Sequence, residues 1–376
     1  MVKTATLEKQ INRKRKKKVP PKPCDYLSTG STELNLGCSG SPFGALLKGK
    51  YYGWVGDSQS GKTIWVLTLL AEAANNPSFN NYRLIFDDVE GGALFDMSKF
   101  FGKKMASRLE PPRTGKKGPL YSETVEELYY NIDDCYQRWQ EDGKPFIYIV
   151  DSIDALTTLD DEATFQKRKK ATRSNTEAKG SYGAAKPKLN SMYLRKMTAQ
   201  LRKSGSIVVF ISQSRDGFSM FEPKTRSGGK ALKFYATMEF WTRRGKVIKA
   251  KYLGNEIPIG VNVIIQIKKN RVKGKDRTVT VPIFEQFKDG GGGVDDIGAC
   301  IEYLVKWRHW KKVKRKVGNK KVSGIVATEF DFFGTKDQII RMVEFDKKYR
   351  KLQLIVSKVW HEVEDAVAVS RQSRYA

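Results

Sequence analysis

Histidine is almost missing from this chain. Its 376 residues contain two, His309 and His361, too few and too far apart for a histidine metal cluster or for general-base chemistry resting on imidazole. Cysteine is scarce as well: Cys24, Cys38, Cys135 and Cys300 include no C-x-x-C pair. That spacing implies neither a zinc site nor a disulfide framework, and it suits a reduced, cytoplasmic setting. No apolar run approaches the roughly 20 residues of a membrane span. The opening residues, VKTATLEKQINRKRKKK, are charged and lead into no apolar stretch, so no secretory leader and no membrane association are expected. Acids are in deficit: 41 Asp and Glu face 69 Lys and Arg, a net charge of +28. Self-repulsion on that scale is kept where something uses it, and a polyanion is the first candidate. An anionic lipid surface is the second, but no strongly amphipathic Trp/Lys helix or lipidation motif accompanies the charge.

What is present divides into three parts. Residues 1–25 read as a basic arm, QINRKRKKKVPPKPCD, in which prolines end any short helix. The arm is either solvated or in contact with nucleic acid or a neighbouring subunit. Residues 26–290 have a globular texture. YYGWV, RLIFDDVE, PFIYIVDS and SIVVFISQS read as buried strands; TIWVLTLLAEAANN, ETVEELYYNIDDCYQRWQ and LNSMYLRKMTAQLRKSG read as helices between them. Strands apolar on both faces that alternate with helices predict an α/β fold, a mainly parallel twisted sheet flanked by helices. KALKFYATMEFWTRR, VIKAKYL, GVNVIIQIKKNRV and RTVTVPIFEQF then read as successive strands of an antiparallel extension. DGGGGVDD reads as a linker to residues 295–376, a small basic α(+β) domain read chiefly as helix, with a turn at KVGNKK.

GDSQSGKT, Gly56 to Thr63, fits the pattern G-x-x-x-x-G-K-[ST] between a strand and a helix. Gly56, Asp57, Ser58, Gln59, Ser60 and Gly61 form a backbone cradle for phosphate at a helix N-terminus. Lys62 is placed for the β- and γ-phosphates, and the Thr63 hydroxyl for Mg²⁺. A carboxylate to support that ion is expected at the end of a neighbouring buried strand, and YIVDS supplies Asp151, with Ser152 beside it. A group to orient water comes from IFDDVE, where Asp87, Asp88 and Glu90 are all candidates that composition does not separate. Gln213 ends a third apolar strand. The stretch after it, RDGFSMFEPKTRSGGK, carries Arg215, Lys224 and Arg226 with Phe218, Met220 and Phe221, ahead of Gly228 and Gly229. Cations interleaved with apolar side chains suit single-stranded nucleic acid, where phosphates take the charge and bases take the apolar faces.

STGSTELNLG, GDSQSGKT, FDDVEGGAL, IVDSIDALT, ISQSR, GGKALKFYA and KKNRV occur in the order found in the RecA recombinase family. From about Leu27 to Phe287, and more loosely beyond, the chain resembles a divergent bacterial or phage-type member. The resemblance implies a P-loop ATPase core that uses ATP and Mg²⁺. It assigns Glu90 as the glutamate that activates water, Lys62 and Thr63 as the phosphate lysine and the Mg²⁺ threonine, Asp151 as the Mg²⁺-supporting aspartate and Gln213 as the γ-phosphate switch. Residues 161–187, with Tyr182 and Lys186, take the place of the first DNA loop, and 214–229 that of the second. Lys269 and Arg271 match the cations that reach into the neighbouring subunit's ATP, and Lys233 and Phe234 match residues at the subunit boundary. The implied protein is a DNA-dependent ATPase that forms a helical homo-oligomeric filament on single-stranded DNA and exchanges strands with duplex DNA, served by loader or mediator proteins, at the nucleoid. The alternative is a recombination mediator or paralogue that binds ATP and DNA without exchanging strands; a hexameric helicase is disfavoured by GGKALKFYA. There are departures from the family. The N-terminal polymerisation helix is replaced by the basic arm. FQKRKKATRSNTEAK enlarges the first loop. No adenine-stacking tyrosine follows Glu90, where Phe95, Met97 or Phe100 can substitute. The chain ends basic. KWRHWKKVKRK is expected to bury Trp307 and Trp310 beneath a cationic duplex-capture face.

Overall fold

The structure is a computed structural model, described for residues 20–173, 185–215, 225–226, 228–288, 290–317 and 320–374. In chain order the elements that position the site are α1 (Thr32–Ser39), β1 (Tyr51–Gly56), α2 (Lys62–Asn75), β2 (Arg83–Asp87), β3 (Leu109–Glu110), α3 (Val125–Asp142), β4 (Phe146–Val150), α4 (Leu159–Arg173), α5 (Ala185–Ser204), β5 (Ile207–Arg215), α6 (Lys230–Tyr235), β6 (Met238–Tyr252), β7 (Asn255–Asn270), β8 (Thr278–Phe284) and β9 (Gly293–Val294). The C-terminal part adds α7 (Asp296–Lys306), β10 (Lys311–Val317), β11 (Lys320–Ala327), β12 (Phe332–Gly334), α8 (Lys336–Phe345) and α9 (Tyr349–Ala366).

One large sheet runs in the order β9-β8-β7-β6-β1-β5-β4-β2-β3. From β6 to β3 every neighbouring pair is parallel; β7, β8 and β9 extend it antiparallel. Strand alternation explains why both faces are apolar. Tyr52, Trp54, Ile147 and Ile149 face one core with α2, where Trp65 and Phe240 lie either side of Trp54. Tyr51, Phe146, Tyr148 and Phe210 face a second core with α3 and α5. The helix ends follow local chemistry: Thr124 caps α3 by accepting from Glu127 N at 3.1 Å, and Gly143 ends it in the left-handed region.

Three sequence expectations change. KALKFY is not strand: Lys230–Tyr235 is helical, and the strand starts at Met238 and continues unbroken through RRGKVIKAKY. Reading the stretch as strand missed that Leu232, one turn after Gly228, belongs inside the second core. The glycine run before residue 295 is not a free linker. Gly293 and Val294 pair with Phe284 and Ile283, and Asp295 caps α7. The C-terminal module is α+β, within the α(+β) expectation but with more strand than its helical texture indicated: β10, β11 and β12 form a three-stranded antiparallel sheet. The turn residues expected at KVGNKK, and the N-terminal arm through residue 19, lie outside the described residues. Trp310 is fully buried as expected, but Trp307 is 44% exposed, because α7 ends there and its ring passes beyond the module's core.

That core gathers Cys300, Leu304, Trp310, Val343, Leu352 and Val356, with Leu36 contributed by α1. Polar ties fasten it further. Asp296 accepts from Thr32 N at 2.7 Å, Thr32 Oγ1 at 2.6 Å and the Tyr349 hydroxyl at 2.7 Å. Glu364 on α9 pairs with Lys275 and accepts from Arg277 Nε at 2.9 Å.

Candidate nucleotide and DNA site

β1 delivers the chain to the glycine loop. A Cβ at Gly56 would lie 2.1 Å from Thr242 Oγ1 and 2.6 Å from Ser60 Oγ, so no side chain fits there. Gln59 and Gly61 take positive φ angles of 57° and 77°, which turns the chain back over itself. Ser60 is buried, hydrogen bonded to the Asp57 carbonyl at 2.7 Å and to Thr242 Oγ1 at 2.9 Å. Lys62 Nζ donates to the same Asp57 carbonyl at 2.6 Å. No side chain caps α2, so its first-turn N–H groups remain available to an anion.

The carboxyl edge of the sheet supplies the acids. Thr63 Oγ1 donates to Asp151 Oδ2 at 2.5 Å. Burial, with Glu90 and Asp88 nearby, pushes the Asp151 carboxyl up to about 6 against the opposing pull of Thr63 and Lys62. Burial also lowers Lys62, while Asp151, Glu90, Asp57 and Asp154 all act to keep it charged. Four carboxylates therefore bias the ammonium toward its charged form, though its direct contact is the Asp57 carbonyl. This donor set fits a hard divalent cation accompanied by phosphate oxygens, which is how Mg²⁺ is usually held. Among the described residues no group of three or more His, Cys, Asp or Glu forms a cage for a metal by itself, so Thr63 and Asp151 would act together with the phosphates.

The three acids of IFDDVE separate here. Asp87 is fully buried and accepts from Ser122 N at 2.9 Å, Ser122 Oγ at 2.6 Å and the Tyr148 hydroxyl at 2.6 Å. Asp88 accepts from Gly92 N and Ala93 N and shapes the turn. Glu90 is exposed, its backbone N–H tied to the Asp151 carbonyl at 3.1 Å and its Oε1 accepting from Ser152 Oγ and, at 3.4 Å, from Gln213 Nε2. Only Glu90 among the three has its carboxylate toward Gln213. Three contacts escaped the sequence reading. Gln213 N donates to Asp154 Oδ2 at 2.7 Å, Ser214 Oγ donates to Asp57 Oδ1, and Arg244 Nη1 donates to Gln59 Oε1 at 3.0 Å. Asp154 was within reach of inspection, three residues after Asp151 in IVDSIDAL; the other two depend on strand order.

The second loop leaves from β5 directly after Gln213 and returns to it. Thr225 and Arg226 pair antiparallel with Arg215 and Ser214. Arg215 is exposed. Arg226 turns inward to a buried ion pair with Glu239. Gly228 and Gly229 have φ of 82° and 88°, and a Cβ on Gly229 would lie 2.9 Å from Pro187 Cβ, at the return of the first loop. Lys186 also points inward, donating to the Leu156 carbonyl at 2.8 Å and the Asp154 carbonyl at 3.2 Å. Phe218, Met220, Phe221, Lys224 and Tyr182 lie outside the described residues. Of the candidates for the adenine contact, Phe95 and Phe100 pack on each other at 5.3 Å and, with Met97, against the α2-side core.

Lys269 and Arg271 stand at the other end of the sheet. Lys269 registers with Glu239, which registers with Gly53, three residues before Gly56. At about 3.3 Å per residue this is about 10 Å of strand from the chain's own glycine loop. Arg271 is farther, its N–H bonded to the Thr237 carbonyl. Lys269 Nζ rests on the Lys233 and Phe234 carbonyls at the end of α6, and the Arg271 guanidinium lies 5.8 Å from the Phe234 ring, itself 64% exposed.

Residues 146–290 match the family model of the RecA N-terminal domain. The chain is 29% identical over 291 residues to the protein RecA of Caulobacter sp. (strain K31), covering 75% of this chain and 68% of that one. It is 26% identical over 339 residues to the protein RecA of Methylobacterium sp. (strain 4-46), covering 84% and 79%. To that of Thermus thermophilus it is 27% identical over 299 residues, covering 76% and 73%.

Proposed function

This chain is a divergent member of the RecA family, and from that premise we propose that it is an ATP-dependent recombinase that assembles on single-stranded DNA and exchanges strands with a duplex. The observation that carries the proposal is the contact between Glu90 and Gln213 at the root of the second loop. A group that orients water for hydrolysis thereby touches the residue from which the DNA-contacting segment departs.

The loop from Gly56 to Thr63 holds the ATP phosphates with backbone N–H groups, and Lys62 leaves the Asp57 carbonyl to meet them. Thr63 and Asp151 would hold a Mg²⁺ ion, which would supply neutralisation of charge on the phosphates. Glu90 orients the attacking water and takes its proton. Gln213 reports the state of the site to the second loop, and Ser214 adds a tie from that loop to Asp57. Lys269 and Arg271 cannot serve their own site across that strand length. They serve the site of an adjacent copy, so hydrolysis requires assembly.

Residues 26–290 form the ATPase core, with 1–25 as an arm. The module of residues 295–376 captures duplex through its basic hairpin. Lys311, Lys312, Lys314, Arg315 and Lys321 are exposed there, and none of them has an ion-pair partner among the described residues. Charge of this kind binds phosphate without reading sequence. No helix among the described residues is long and apolar enough to cross a membrane, and a nucleoid location is proposed from the DNA role.

The test pairs two variants with an image. Lys62→Ala is expected to abolish nucleotide-dependent DNA binding. Glu90→Gln is expected to bind DNA with ATP and turn over at least about 100-fold more slowly. Electron microscopy with an ATP analogue and single-stranded DNA should show long regular filaments. Small rings or monomers would favour a mediator, and nucleotide-independent DNA binding in both variants would overturn the mechanism.

A further inference from the structure

Among the described residues outside the nucleotide site, Glu239 is a fully buried acid with no ordinary hydrogen bond. Its side chain is 1% exposed, and Arg226 Nη2 lies 3.0 Å from its Oε1. The pair is not aligned as a hydrogen bond, and neither Glu239 oxygen has another hydrogen-bond partner among the described residues. A buried carboxylate left in that condition calls for an explanation. The sheet makes room for it at Gly53: a Cβ there would meet Arg226 Nη1 at 3.4 Å and Glu239 Cγ at 3.7 Å.

The opposite neighbour of Glu239 is Lys269, its cross-strand partner on β7. An extra residue, Lys268, bulges out of β7 at this point, so the register shifts between Glu239 and Phe240. The Lys268 ammonium is drawn away over the Trp241 ring at 3.5 Å. A bulge of this kind re-aims the next side chain, and Lys269 is left on the same face as Glu239. Arg271, Arg226 and Lys233 act on Lys269 to disfavour its charge, and Glu239 acts to favour it. Arg226 from the loop and Lys269 from β7 therefore share one carboxylate.

We propose that Glu239 is a positioning residue that couples the end of the second loop, through Arg226, to the cation Lys269 that serves the neighbouring copy. This inference rests on the recombinase reading above. Arg226 is fixed to β5 directly opposite the residue bonded to the glycine loop: it pairs with Ser214, which donates to Asp57. A continuous set of contacts therefore runs from the phosphate loop, through the root of the DNA loop, to Glu239 and Lys269. When DNA engages the exposed Arg215, the Thr225–Arg226 segment paired with it shifts and Arg226 leaves the carboxylate. Glu239 is then left to Lys269 alone, and the ammonium is held toward the boundary rather than on the α6 carbonyls.

The test compares Glu239→Gln with the exchanged pair Arg226→Glu/Glu239→Arg in the full chain. The exchange keeps an ion pair in the same cavity, so a role limited to fastening the loop is restored by it. A role in positioning Lys269 is not, because a guanidinium then faces Lys269. Hydrolysis with and without a single-stranded oligonucleotide, thermal melting, and acylation of Lys269 followed by mass spectrometry are measured together. The proposal expects both variants to lose at least ~10-fold of the DNA-stimulated rate, with single-stranded DNA affinity changed by less than ~3-fold. It also expects Lys269 to react ~3-fold or more faster at neutral pH in both, because loss of the carboxylate favours the free amine. Restoration of stimulation by the exchanged pair, or unchanged Lys269 reactivity in both variants, overturns it. Should Glu239→Gln fail to fold, the exchanged pair carries the same two outcomes. Lys269 labelling does not depend on hydrolysis. A wild-type protein without DNA-stimulated turnover would sink the recombinase reading, while labelling would still judge whether Glu239 places Lys269.

Discussion

Truncating Asp87 tests whether the acids of IFDDVE divide between structure and chemistry as the geometry implies. Asp87→Ala would remove the acceptor for three buried donors, Ser122 N, Ser122 Oγ and the Tyr148 hydroxyl, held at 2.9, 2.6 and 2.6 Å. Hydrogen bonds to a charged group contribute about 1.5–3 kcal/mol each, and a buried donor left unpaired costs about 1–3 kcal/mol. Against this stands relief from burying the carboxylate, whose pKa is raised chiefly by burial despite those three donors. A net loss of about 3 kcal/mol remains, a large share of the roughly 5–15 kcal/mol that holds a domain together. For a core of this size it lowers the melting temperature by roughly 6–12 °C. Glu90→Gln, at an exposed carboxylate, should shift melting by less than about 1 kcal/mol while stopping turnover. Calorimetry or urea titration beside a steady-state hydrolysis assay separates the two. Wild-type melting in Asp87→Ala, or a large stability loss in Glu90→Gln, would refute the division of roles.

Two further expectations concern charge. Burial, then Arg271, pushes the isolated Lys269 down to about 8, and a neighbour's phosphates would raise it again. Assembly therefore takes up a proton: it is favoured below about pH 8 and weakens by up to about tenfold per interface for each pH unit above that. Light scattering with an ATP analogue from neutral to alkaline pH reads this, and Lys269→Arg should flatten the curve. At Glu364, burial raises the carboxyl, but hydrogen bonds from Lys275 and Arg277 outweigh it and hold the group below its ordinary value. Its stabilisation is present above the usual glutamate range and lost as pH falls through the lowered value. With both cations partly exposed, Glu364→Gln should cost about 1–2 kcal/mol at neutral pH, seen as earlier melting of the C-terminal module with DNA-stimulated hydrolysis unchanged.

Local pattern alone determined much of this protein. The glycine loop between an apolar strand and an apolar helix was legible, as was the alternating α/β core, and the hydrogen bond from Thr63 to Asp151 agrees with reading those two together. The helix at Lys230–Tyr235 was not, because six residues carry too little periodicity to tell helix from strand. The strands at 293–294 were hidden for a related reason: glycine has no side-chain pattern, and the pairing with β8 is a long-range fact. Composition left Asp87, Asp88 and Glu90 equivalent; their neighbours Ser122, Tyr148, Ser152 and Gln213 come from other strands, and only folding brings them close. Arg226 looked like any loop cation in TRSGG, yet its partner Glu239 sits in a strand on the far side of β1. Short-range chemistry fixes which groups the chain carries, because dihedral preference and side-chain period act over a few residues. Which carboxylate faces solvent, which cation is buried and which end of the sheet each occupies were decided by strand order, since charges interact through space and not along the chain.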